Sequence, residues 1–68
     1  MNVEYIIVGD TEKYSSCLIY VVGSSFERAE QTLNRMLNNP NDNDKMAMKG
    51  CINFRIEEVA SEECWWRD

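Results

Sequence analysis

Sixty-eight residues, 44% of them hydrophobic, make one small domain, a size at which about 60% of the unfolded surface is buried and stability is marginal. Seven basic against twelve acidic side chains give a net charge of −5, which argues against nucleic acid as a direct ligand, because phosphate contacts need clustered Lys and Arg. The chain lacks histidine, the usual general base and metal ligand, and its three dispersed cysteines, Cys17, Cys51 and Cys64, show neither metal-ligand nor disulfide spacing.

The chain opens Met1-Asn2-Val3-Glu4 without a basic stretch, so no secretory signal is expected. Its longest apolar run, Cys17 to Val22, is far short of the ~20 residues of a membrane span. The expected setting is the reducing cytoplasm, with free thiols and no membrane contact. Val3 to Val8 reads as a strand, rich in β-branched and aromatic residues. Gly9-Asp10-Thr11-Glu12-Lys13 turns the chain, and Cys17 to Val22 returns as a second strand ended by Gly23. A short polar connection between two such runs favours an antiparallel hairpin.

Ser24 and Glu27 form the pattern of a capping box at the start of a helix. Phe26, Ala29, Leu33, Met36 and Leu37 share one apolar stripe, while Glu27, Arg28, Gln31, Asn34, Arg35 and Asn38 face away. Asn38-Asn39-Pro40 stops the helix, because the residue before proline avoids the α region. Asn41 to Asp44 reads as a polar loop, and Lys45 to Lys49 as one helical turn closed by Gly50. Cys51 to Val59 is a third strand in which Ile52, Phe54 and Ile56 alternate with Asn53, Arg55 and Glu57.

The expected fold is α+β: a ββαβ order, one helix packed on one face of a three-stranded, mainly antiparallel sheet, and a C-terminal tail bearing Trp65 and Trp66. Placing strand three beside strand one gives the order 2-1-3 and makes every pairing antiparallel. Strands one and two are apolar on both sides, which is usual for strands buried on both faces, so one helix cannot cover the sheet. The tail, a second copy in a homodimer, or a different protein must cover the rest.

No catalytic constellation emerges. Glu57-Glu58 and Glu62-Glu63 are adjacent pairs that read as solvated charge. Asn41-Asp42-Asn43-Asp44 lacks the glycine and the distal glutamate of a calcium loop. No cofactor is expected. The acidic C-terminal stretch suits a basic protein surface, with Trp65 and Trp66 as anchors, Glu57, Glu58, Glu62 and Glu63 as steering charges, and Tyr20 as a further partner contact.

Three segments carry a resemblance: Tyr5-Ile6-Ile7-Val8-Gly9-Asp10-Thr11-Glu12, Arg35-Met36-Leu37-Asn38-Asn39-Pro40, and Cys64-Trp65-Trp66. Together they resemble small proteins of phages and mobile elements of Gram-positive bacteria. The resemblance implies a setting in which small acidic proteins inhibit host proteins, defence and nucleic-acid-handling enzymes among them. The expected function is therefore that of a non-enzymatic binding protein that inhibits or modulates a host protein with a basic surface. One alternative is an oligomer that sequesters a nucleotide-like anion between Tyr5, Tyr14, Tyr20 and Trp65 around Arg28, Arg35 or Arg55. Another is a structural subunit of a larger assembly.

Overall fold

Three antiparallel strands form the sheet in the order β2-β1-β3, within a computed structural model that describes residues 2–63. The elements are β1 (Val3–Asp10), β2 (Cys17–Gly23), α1 (Phe26–Asn38), α2 (Asp42–Met48), β3 (Ile52–Ala60) and a 3₁₀ turn at Ser61–Glu63. The order and the antiparallel pairing agree with the sequence reading. The second helix agrees in part: a turn was expected from Lys45, and the helix begins at Asp42.

Central β1 carries the core. Ile6, Ile7 and Val8 are buried in succession, so the strand is covered on both faces, as its unbroken apolar run requires. Each such side chain contributes about 1.5–3 kcal/mol relative to exposure. Tyr5, Ile7 and Gly9 point to one face, and α1 lies across it: the Tyr5 and Phe26 rings meet edge to face at 5.4 Å. Ala29 and Met36 are the fully buried residues of α1, while Phe26 and Leu37, from the same stripe, remain half exposed at its rims. On the opposite face Arg55 stands opposite Val8 and Glu57 opposite Ile6, so long polar side chains flank the buried pair.

The capping differs from the sequence reading by one residue. Ser25, not Ser24, is the N-cap of α1, and its hydroxyl accepts from the Arg28 N–H at 3.2 Å. The expected polar loop is the start of α2. Asn41 caps it, accepting from the Asp44 N–H at 2.8 Å, while the Asp44 carboxylate accepts from the Asn41 N–H at 3.1 Å. This reciprocal pair satisfies two orphan donors. It uses Asp at the position where Glu or Gln is commoner, and so escaped the pattern. The Asp44 carboxylate also accepts from Arg35 Nη1 at 2.6 Å, tying α2 to α1. Short helices are marginal alone, and this seven-residue one is held by its cap and by that ion pair.

Both edge strands depart from regular pairing, but not equally. Against β1, strand β2 carries two extra residues, Val22 between the Tyr5 and Ile6 partners and Ile19 between those of Ile7 and Val8. Strand β3 runs in one register from Ala60 to Arg55, and gains one residue only where Gly9 faces Asn53 and Phe54. Asn53 is left-handed there, with φ 58°, as the first residue of one type of β-bulge requires. The bulge moves Ile52 onto the Asp10 side of the sheet, where it is exposed, so it does not share a face with Phe54 and Ile56 as simple alternation predicted.

Candidate interaction surfaces

Three features stand out: a polar cluster at one end of the sheet, an apolar groove beside α2, and the acidic edge of β3. The cluster forms where β1 ends, β2 begins and β3 bulges. Asp10 Oδ1 accepts from the Ser16 N–H at 3.0 Å and from Arg55 Nη2 at 3.1 Å, and Oδ2 lies 3.4 Å from Asn53 Nδ2. Arg55 Nη2 also donates to Ser16 Oγ at 2.8 Å, Nη1 donates to the Asn53 carbonyl at 2.9 Å, and Nε lies 3.4 Å from Glu57. The Ser16 hydroxyl in turn donates to Glu57 Oε2 at 3.1 Å. Ser16 and Asn53, the two non-glycine residues with positive φ among those described, are thus both held by one carboxylate. The Ser16 N–H first, then Arg55 and Asn53, hold the Asp10 carboxyl below its ordinary value of 3.8. Every charge in this cluster is spent on another member, so its chemistry is that of a clamp between the hairpin and β3.

The groove is lined by Pro40, Lys45, Met48, Lys49, Cys51 and Phe54 and encloses about 310 Å³. Its floor follows from Gly9. A Cβ at Gly9 would lie 3.0 Å from the Phe54 ring and 3.2 Å from Cys51 Cβ, so glycine lets the Phe54 ring approach the strand this closely. Met48 closes one wall from α2. Lys45 and Lys49 stand at the rim, and neither ammonium has an ion-pair partner among the described residues. The Cys51 thiol is free and half-buried. Met46 and Ile52, chain neighbours of the lining residues, are among the most exposed large apolar side chains described.

The residues expected to form one binding surface are distributed. Glu57 points to the clamp and is engaged there, whereas Glu58, the next residue of β3, points to the helix side and is exposed. Glu62 is exposed in the 3₁₀ turn that Glu63 ends. Tyr20 pairs with Ile7 from β2, at the other edge of the sheet from β3. Trp65 and Trp66 lie outside the described residues. The residues proposed around an anion are also dispersed: Tyr5 packs on Phe26, Tyr14 is exposed in the β1–β2 connection, Arg35 is bound to Asp44 and Arg55 to Asp10. No helix among the described residues is long and apolar enough to cross a membrane. No single segment encodes the groove; it needs Gly9 of β1 beneath Phe54 of β3 and α2 packed beside them.

Compared with protein-family models, curated proteins and solved structures, the chain matches none.

Proposed function

We propose that this chain is a small binding protein that modulates another protein by direct contact, a host protein in the setting its resemblance to phage and mobile-element proteins implies. The groove beside α2 is the observation that carries this reading. Its apolar lining of Phe54, Met48 and Pro40 accepts apolar side chains, and Lys45 and Lys49 at the rim select acidic neighbours. The occupant is therefore a protein segment with an apolar anchor flanked by carboxylates. The open form of the groove suits an inserted side chain better than an enclosed small molecule, which pockets usually bury by 70–90%. Exposed Glu58 and Glu62 add a separate steering charge toward a basic patch on the same partner.

Affinity capture from host lysate with the intact protein and with Lys45→Glu/Lys49→Glu tests this. Both lysines are exposed and unpaired, so the variant keeps its fold, which circular dichroism checks. A partner retained by the native protein and lost by the variant is the expected result. A partner held equally by both removes the groove from the account.

A further inference from the structure

We infer that the outer edge of β3 pairs with β3 of a second copy, antiparallel and centred on Ile56, joining two sheets into one of six strands. The two edges of the sheet are not equivalent. The two extra residues of β2 break its edge twice within seven residues, a common way of preventing edge-to-edge pairing. The edge of β3 is regular from Arg55 through Val59, has no proline, and among the described residues those positions pair only with β1. Its bulge lies at one end, where Arg55 Nη1 already occupies the Asn53 carbonyl.

The side chains select the register. Two-fold pairing centred on Arg55, Glu57 or Glu58 sets that charged residue opposite its own copy, which is unfavourable, and centring on Val59 runs the ladder past Ala60 into the 3₁₀ turn at Ser61–Glu63. Centring on Ile56 sets Ile56 opposite Ile56 and Arg55 opposite Glu57 twice, with Phe54 opposite Glu58. Arg55 and Glu57 lie on the same face of the sheet and already touch within one chain, so the two copies extend that pair into a row of alternating charge. Helix α1 of each copy then lies on the same side of the joined sheet, because even pairing preserves the faces. Of the residues that line the groove, Phe54 alone lies within the paired stretch, and the pairing does not depend on the groove's being occupied.

Sedimentation equilibrium over a concentration series, with amide hydrogen exchange on the same samples, tests the proposal. The native chain should form a dimer, and amides between Phe54 and Glu58 should gain protection as concentration rises while those of β2 do not. Glu57→Lys sets like charges opposite each other at two symmetric positions and should raise the dimer dissociation constant roughly tenfold or more. Glu58→Lys, opposite Phe54, should change it no more than about threefold. If Glu57→Lys disturbs the fold, the concentration-dependent exchange of the native chain still decides. A monomer at millimolar concentration, or a dimer whose protection falls on β2 or on the helices, overturns the proposal.

Discussion

Arg55 Nη2 lies 3.1 Å from Asp10 Oδ1, an ion pair that ties the end of the central strand to β3 beside its bulge. Around it Ser16 and Asn53 take up left-handed backbone, a conformation that costs about 1–3 kcal/mol for a non-glycine residue unless its surroundings fix it. The Asp10 carboxylate supplies the fixing bonds to both.

Acid should therefore loosen this end of the sheet. The Asp10 carboxyl sits below 3.8 in the folded chain, chiefly through the Ser16 N–H and Arg55, and Asp44 does so through Arg35 and the Asn41 N–H. A carboxyl with a depressed folded value contributes fully above its unfolded value and loses that contribution as pH falls through the folded one. Urea midpoints should thus hold steady above pH 3.8 with respect to these two groups and fall below it. Asp10→Asn should be less stable at neutral pH and show a shallower fall. Equal acid slopes for the native chain and the variant would remove Asp10 from the explanation.

Gly9→Ala should destabilise the fold by about 1–3 kcal/mol, the usual cost of forcing an extra carbon into a packed site, since its methyl would meet the Phe54 ring at 3.0 Å. Adding Phe54→Leu should recover part of that loss, because the ring is the obstacle. Denaturant melts of the two single variants and the double variant measure the coupling, and strict additivity would contradict the contact.

Helix α2 depends on a single carboxylate. Asp44 both completes the capping box, by accepting from the Asn41 N–H, and receives Arg35, so Asp44→Ala should loosen α2 and with it the groove wall that Met48 forms. Arg35→Ala should cost less, because the cap survives it. Faster amide exchange across Asp42–Met48 in Asp44→Ala, with smaller changes in Arg35→Ala, is the expected pattern.

Strand positions, sheet order and the burial of β1 were legible because hydrophobic runs and turn residues act over a few neighbours. The cap of α1 was legible only to within one residue: Ser24 and Ser25 both suit the role, and the Arg28 N–H selects Ser25. Ser25→Ala should cost about 1 kcal/mol, and Ser24→Ala should fall within about 0.5 kcal/mol of the native chain. What stayed hidden depends on partners distant in the chain. The Asn53 bulge takes its register from Asp10 and Val8, and the groove needs Gly9 to make room for a ring 45 residues later. That Glu57 and Glu58 point to opposite faces follows from the pleat alone, but the engagement of Glu57 by Arg55 does not.

The most direct test of the binding account uses the thiol already in the groove. Cys51 lines it, whereas Cys17 lies on β2, and both are free and half-buried. With a captured partner bound at saturation, mass spectrometry of alkylation rates should show Cys51 slowed while Cys17 reacts as in the free protein. A Cys51 that is alkylated equally fast with the partner bound would contradict the groove as the binding site.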